Sequence, residues 1–275
     1  MIQKITDDFD LQKIADSGQC FRVKAFPDGT YRFITGSHIL YITYLEQNTY
    51  EISCSKSEWQ SFWHSYFDFG RCYRKLRDEI PDTDSYMKRA AAGGAGLRIL
   101  RQEPWEMLIT FIISQQKTIP SIKNAVEKLA EVYGTPVKTD YETVHLFPSP
   151  KQMSQATMEE LSQFRLGYRT SYILDAIDKV KCGLIDLDKI SVYDDMQLFT
   201  ALKTVRGVGD KVANCIALFS YGRTSLAPVD TWIKKVIEKE YQGTSPFPCY
   251  GDTAGIMQQY MFYYAQTHKG NYHLG

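Results

Sequence analysis

Residues 202–215 read Leu202-Lys203-Thr204-Val205-Arg206-Gly207-Val208-Gly209-Asp210-Lys211-Val212-Ala213-Asn214-Cys215, and after Tyr221-Gly222 comes Ala227-Pro228-Val229-Asp230-Thr231-Trp232. One helix ends near Val205. Two glycines one residue apart then allow a turn through positive φ, and a second helix opens near Asp210, whose side chain is of the type that caps it. Helix, glycine turn and helix in that order are a helix-hairpin-helix signature. Such glycines let the backbone approach a phosphate closely. The amides of the hairpin and of the new helix terminus point at the phosphate with the helix dipole behind them. A lone G-x-G between helices serves equally as a plain αα turn with no ligand, so the reading of Gly207, Val208 and Gly209 as a phosphate grip rests on their surroundings.

Lys211 falls in the first turn of the second helix. There the positive helix end disfavours an ammonium, and burial pushes the same way, so both effects favour free amine near neutral pH. A lysine that merely solvates a helix surface is better placed at the other end. Asp230 follows Pro228-Val229 at the start of a further helix, where its carboxylate either caps that helix or faces the lysine.

Outward from this stretch the chain is mostly helical. Trp105, Leu108, Ile109, Ile112 and Ile113 fall at i, i+3, i+4, i+7 and i+8, an apolar stripe that predicts a long buried helix. Ile122, Ala125, Val126, Leu129, Ala130 and Tyr133 repeat the spacing up to Gly134, and Ile173, Ala176, Ile177 and Val180 repeat it before Gly183. Residues 134–152, with Pro136, Pro148 and Pro150, read as a loop bridging two helical subdomains. Before residue 55 the pattern is different: Tyr31, Phe33, Ile39, Tyr41, Tyr44 and Ile52 lie in short β-branched and aromatic runs punctuated by Asp28-Gly29 and Gly36, which suits an antiparallel sheet. The expected class is α+β: an N-terminal antiparallel β-rich domain over 1–70 and a two-part helical body over 71–275, with the hairpin at 200–221.

Composition bounds the reading. With 275 residues, 44% hydrophobic and 23% charged, an ordered globular chain is expected rather than a disordered one. Thirty-two basic residues balance 32 acidic ones, so a surface for a polyanion has to be a local patch. No apolar run approaches the roughly 18 residues of a membrane span, and the acidic start MIQKITDDFD is unlike a signal peptide, so no membrane partner and a cytoplasmic location are expected. The six cysteines are scattered, without a C-x-x-C pair or zinc-ligand spacing to histidine; they read as reduced and mostly structural, with no metal site.

Taken together, G-V-G-D-K-V-A-N-C and the following P-V-D resemble the helix-hairpin-helix DNA glycosylases with a Gly/Pro-rich loop and aspartate, and the lysine resembles that of their bifunctional branch. Four more segments in the right order make the likeness specific to the 8-oxoguanine DNA glycosylases. They are Ser17-Gly18-Gln19-Cys20-Phe21-Arg22, Gly96-Leu97-Arg98-Ile99-Leu100-Arg101-Gln102-Glu103-Pro104, Leu166-Gly167-Tyr168-Arg169, and Ala254-Gly255 with Gln258 and Phe262. The resemblance implies a DNA glycosylase with AP lyase activity, acting as a monomer on duplex DNA that contains 8-oxoguanine and nucleoid-associated in a prokaryotic cell. The short Ser245-Pro246-Phe247-Pro248 loop is similar to bacterial and archaeal members.

By the same resemblance, Lys211 is the nucleophile at the sugar C1′ and Asp230 the carboxylate that stabilises the cationic sugar. Gln116 fills the space left by the flipped base, where related enzymes usually carry asparagine, and Tyr168 and Arg169 meet the orphaned partner base. The main-chain carbonyl of Gly18 accepts the N7 hydrogen that distinguishes the oxidised base. Gln258 reads the Watson–Crick edge, Phe262 stacks, and Cys215 lies in the base pocket. Taken alone, Gln258 and Phe262 at i, i+4 fit a core stripe equally, Tyr168 and Arg169 fit core packing and a surface charge, and Cys215 fits a small buried hydrophobe. Related enzymes with an iron–sulfur cluster carry four clustered cysteines near the C-terminus, where this chain has only Cys249, so no cofactor is implied. Ser121 and Trp232 stand where eukaryotic members carry an arginine and a histidine, which implies relaxed selectivity for the opposite base. Two rival readings are a glycosylase of this fold for another lesion, such as an oxidised pyrimidine, and a hairpin DNA-binding module without catalysis.

Overall fold

The computed structural model describes residues 1–268 and 270. In chain order its main elements are strand β1 (Ile2–Lys4), helix α1 (Leu11–Asp16), and strands β2 (Lys24–Ala25), β3 (Thr30–Thr35), β4 (His38–Tyr44) and β5 (Thr49–Ile52). There follow helices α2 (Ser85–Gly93), α3 (Pro104–Ser114) and α4 (Ile119–Tyr133), strands β6 (Pro136–Lys138) and β7 (Thr143–His145), and helices α5 (Arg169–Lys181), α6 (Asp195–Lys203), α7 (Asp210–Phe219), α8 (Thr231–Tyr241) and α9 (Ala254–Thr267). Short helical turns fill the connections. The class is α+β, as expected.

The chain divides into two compact units, one of residues 1–32, 40–101 and 222–275, the other of residues 33–39 and 102–221. The five-stranded sheet runs in the order β1-β5-β4-β3-β2, with antiparallel pairing of β1 with β5, β4 with β5 and β2 with β3. Successive strand residues point to opposite faces, and Phe33-Ile34 and Leu40-Tyr41-Ile42 are buried without a break, so both faces of the sheet are covered there. In β5 Tyr50 and Ile52 are buried with Glu51 exposed between them, and Tyr44 at the end of β4 is exposed. The turn from β2 to β3 is held by Asp28, whose carboxylate accepts from the Thr30 N–H at 3.0 Å.

Within the first unit, α2, α8 and α9 pack together, and one buried guanidinium organises the neighbouring loops. Arg98, 1% exposed, donates to the carbonyls of Phe67, Asp8, Asp68 and Arg71 at 2.7–2.9 Å and to the Asp7 carboxylate at 3.0 Å. Its carbon centre sits 4.2 Å from the ring centre of Tyr73 and 4.6 Å from that of Phe69. A planar five-donor fork is the side chain that can satisfy so many carbonyls at once.

In the second unit α3 is the central helix, buried at every residue from Trp105 to Ile113 and packed on α4, α5 and α7. It starts where Pro104 takes the first helical position and the Glu103 carboxylate accepts from the N–H of Trp105 at 3.1 Å and of Glu106 at 2.6 Å, a cap with a favourable charge at the positive end. Residues 134–152 are not a plain loop. They form the β6–β7 hairpin and a helical turn, Pro150–Met153, closed by a Ser149–Gln152 capping box. Strands of three residues with a proline at the first position carry too little periodicity to be read. Among the described residues no helix is long and apolar enough to cross a membrane. Cys20, Cys54 and Cys215 are buried, whereas Cys72, Cys182 and Cys249 are exposed, so only half of the cysteines are structural in the sense expected.

Candidate active site

The hairpin forms as α6, a tight turn and α7. Gly207 takes the left-handed region, φ 82°, and a Cβ there would lie 2.1 Å from Cδ2 of Tyr172, so both conformation and packing demand glycine. Gly209 is different: φ is −92° with extended ψ, a conformation any residue adopts, and a Cβ would meet nothing within 4 Å. That open space leaves its backbone approachable. Val208 is buried, and its N–H closes the turn onto the Val205 carbonyl at 3.1 Å. It is therefore an anchor rather than a free donor. The N–H groups of Gly207 and Gly209 carry no hydrogen bond among the described residues, and those of the first turn of α7 have no intrahelical partner.

Asp210 does not cap α7. Gly209 holds the cap position without a side-chain bond, and the Asp210 carboxylate pairs with Lys203 Nζ at 2.6 Å. The turn brings the ammonium at the end of α6 to the start of α7, and this partner outcompetes the local amides. Lys211, the second residue of α7, is half-buried; its Nζ lies 5.6 Å from the ring centre of Phe111 on α3 and has no ion pair among the described residues. Phe111 stacks in turn on Phe219 of α7, centroids 5.7 Å apart, which fixes the aromatic wall beside the amine. Cys215, one turn further on, is buried.

Gln116 lies two residues past α3 in the left-handed region, φ 50°, and is exposed. A non-glycine residue there is uncommon and collects at functional positions. The preceding carbonyl, that of Gln115, accepts from the guanidinium of Arg169, which also donates to the Leu166 carbonyl at 3.1 Å. The Gln115 amide reaches the Gly207 carbonyl at 3.2 Å. Thus the loop carrying Gln116 is tied both to the hairpin and to the start of α5. Arg169 is buried beneath the exposed Tyr168, 4.4 Å from its ring centre. Tyr168 is left partly open to solvent with Arg169 against its ring, and Arg169 braces the Gln115 and Leu166 carbonyls.

In the first unit, Gly18 follows α1 with φ 73° between two fully buried polar residues. Ser17 Oγ donates to the Ile14 carbonyl at 2.7 Å, and the Gln19 amide donates to the Arg98 carbonyl at 2.8 Å and accepts from the Leu100 N–H at 2.8 Å. The Ser17 carbonyl accepts from Gln259 Nε2 at 2.5 Å. The Gly18 turn and α9 are joined by that bond. On α9, Gln258 is buried and its Oε1 has no hydrogen-bond partner among the described residues, and Phe262, one turn on, is half-buried. A buried amide oxygen without a donor costs on the order of 1–3 kcal/mol, so it marks a place for a ligand donor. Asp230 caps α8, accepting from the Ile233 N–H at 2.8 Å, so the capping role open to it in the sequence is realised.

Three residues were not singled out by sequence: Gln259, Gln115 and Lys117. Each is adjacent to a residue that was, and each acts through a main-chain carbonyl far away in the chain, a pairing that neither periodicity nor motif spacing encodes.

Residues 1–108 match the model of the 8-oxoguanine DNA glycosylase N-terminal domain, and residues 109–248 match that of the HhH-GPD superfamily base excision DNA repair proteins. The solved structure of Clostridium acetobutylicum 8-oxoguanine glycosylase/lyase in complex with double-stranded DNA containing cytosine opposite 8-oxoguanine aligns with TM-score 0.90 at 31% identity, covering 98% of each chain. MBOgg1, solved with a low-affinity DNA ligand, aligns with TM-score 0.92 at 36% identity over 97% of this chain and 95% of its own. The N-glycosylase/DNA lyase of Saccharomyces cerevisiae is 30% identical over 177 residues, 59% of this chain and 46% of the yeast protein, so the chain spans about half the length of that curated relative. On the family models and the full-length structural matches together, the chain belongs to the 8-oxoguanine DNA glycosylase family within the HhH-GPD superfamily of base excision DNA repair proteins.

Proposed function

We propose that the protein is a bifunctional DNA glycosylase/AP lyase that excises 8-oxoguanine from duplex DNA. The observation that carries this is Lys211: a half-buried primary amine in the first turn of α7, directly after the hairpin, with no carboxylate partner among the described residues. An amine locked in an ion pair would have to break it before reaching the sugar; this one is held by none among the described residues.

In this reading the hairpin amides of Gly207 and Gly209, with Val208 anchoring the turn, hold a backbone phosphate while the damaged nucleotide rotates out at a cost of a few kcal/mol. Gln116 occupies the gap, with Tyr168 and Arg169 at the orphaned base. The Gly18 carbonyl accepts the N7 hydrogen of the oxidised base, Gln258 bonds its Watson–Crick edge, Phe262 stacks and Cys215 lines the pocket. The Lys211 nitrogen forms a bond to C1′ as the glycosidic bond breaks and the base leaves with its electron pair. Asp230 stabilises the positive charge on the sugar. The amine gives up a proton, which the departing base takes, and the C1′–O4′ bond then opens with its electron pair going to O4′, which is protonated. The resulting Schiff base acidifies the C2′ hydrogen, whose loss as a proton expels the 3′ phosphate by β-elimination. Residues 1–70 are the β-rich module, 71–275 the catalytic body, and the enzyme works as a monomer in a prokaryotic cytoplasm, on the nucleoid.

Borohydride trapping tests it. An 8-oxoguanine duplex should crosslink covalently to the native protein at Lys211, and Lys211→Gln should bind the duplex with similar affinity yet give no crosslink. A native protein that binds but never traps would leave only a DNA-binding role.

A further inference from the structure

Beside the loop that carries Gln116 lies a cavity of about 240 Å³ within the second unit, lined by Lys117, Lys128 and Arg165 together with Ser121, Asn124 and Phe164. It is smaller than the roughly 300–1,000 Å³ of drug-sized ligand pockets, which suits a compact group. Its lining contains three cations and no carboxylate, and none of the three forms an ion pair among the described residues. Lys117 Nζ donates to the Arg165 carbonyl at 3.0 Å and to Ser121 Oγ at 3.4 Å, neutral partners that leave its charge uncompensated. Burial, and then the nearby Arg169 guanidinium, lower the pKa of Lys117, so the site as built is electrostatically strained in the direction that a bound anion relieves.

Two further observations point the same way. Arg165 itself is in the left-handed region, φ 55°, the conformation in which its carbonyl meets Lys117. Ser121 and Asn124 belong to the first two turns of the 15-residue helix α4, whose Thr118 cap makes no side-chain bond. Ser121, Asn124 and Lys128, at i, i+3 and i+7, put one flank of that helix along the cluster.

We propose that this pocket seats one backbone phosphate of the DNA strand opposite the lesion. The inference rests on the glycosylase reading for its choice of strand: the pocket is continuous in sequence with Gln116 on one side and lies just before Tyr168 and Arg169 on the other, the residues assigned to the orphaned base. The hairpin grips the damaged strand, and the three cations hold its complement, so that the duplex is clamped through both backbones while one nucleotide is extruded.

Lys128 is exposed and its side chain makes no hydrogen bond among the described residues, so its replacement should not disturb folding. Native protein and Lys128→Ala would be titrated against 8-oxoguanine duplexes that carry a single uncharged methylphosphonate at each position in turn, on either strand. Native protein should lose roughly fivefold in affinity at one linkage of the undamaged strand near the lesion. Lys128→Ala should lose part of that factor on unmodified DNA and lose less than the native protein does at that linkage, and its slope of log K against log salt should fall by up to about 0.9. Lys128→Arg should restore both. If every methylphosphonate loss multiplies with that of Lys128→Ala, or the non-multiplying linkage lies on the damaged strand, the assignment is wrong. Borohydride trapping of the native protein on the same duplexes reports separately on the glycosylase reading.

Discussion

The side-chain amide of Gln259 donates a 2.5 Å hydrogen bond to the main-chain carbonyl of Ser17, 242 positions away in the chain. Both residues are buried, and each adjoins a residue assigned to recognition of the base, Gln258 on α9 and Gly18 after α1. One contact therefore sets the spacing between two reading groups. Gln259→Ala should leave the Ser17 carbonyl without its donor and let the Gly18 turn shift, at a cost of about 1–3 kcal/mol. The expected outcome is a fall of about ten- to a hundredfold in single-turnover excision of 8-oxoguanine. Cleavage at a preformed abasic site, which needs no base reading, should change much less. Equal losses on both substrates would reduce Gln259 to a packing residue.

Arg169 should behave as the brace of Gln116. Its guanidinium holds the Gln115 and Leu166 carbonyls together, a fork that a lysine ammonium cannot reproduce. Arg169→Lys and Gln116→Ala should each slow 8-oxoguanine excision by about tenfold, and the double variant should be no slower than either, the signature of residues acting as a unit. Additive losses, measured by single-turnover kinetics, would separate their roles.

Removing the Arg98 guanidinium should be the most destabilising single change in the first unit. Arg98→Met keeps much of the volume but strands two buried and two part-buried carbonyls and the Asp7 carboxylate, so a loss of roughly 3–5 kcal/mol in urea unfolding is expected. A loss below about 1 kcal/mol would show that water replaces the lost donors.

Asp7 gives a pH test with a definite sign. Partial burial pushes its carboxyl up, but the N–H groups of Tyr73 and Arg74 and the Arg98 guanidinium outweigh it and hold the pKa near about 2, against an ordinary value of 3.8. A carboxylate depressed on folding stabilises the native state above its unfolded pKa, and that stability drains away as the pH falls through the folded one. Urea midpoints should therefore decline between about 3.8 and 2. Asp7→Asn should be less stable than native protein at neutral pH and converge on it near the acid end. Parallel curves for the two proteins would contradict the assignment.

How far the sequence could be read is visible in particular residues. The burial of α3 followed from its apolar spacing, since a broad apolar stripe has to face the core; that Glu106 and Thr110 are buried along with it did not. Gly207 was legible because a positive φ has few tenants. Asp210 was misread as a cap because its better partner, Lys203, arrives only after the turn has folded. The β6–β7 hairpin escaped because three-residue strands show no alternation worth the name. Gln116 and Arg165 both occupy the left-handed region, and neither glutamine nor arginine announces that choice as glycine, asparagine or aspartate would. The pairing of Gln259 with Ser17 is a property of the tertiary structure alone.

The ring of Tyr172 lies where any side chain on Gly207 would have to go. This has a kinetic consequence. A hairpin whose shape is wedged open by a neighbouring ring exists before its partner arrives, so little chain entropy remains to be lost on docking. Scanning along undamaged duplex can then proceed by repeated capture and release of a rigid claw, with the slow, costly rearrangement confined to the nucleotide rather than shared by the protein.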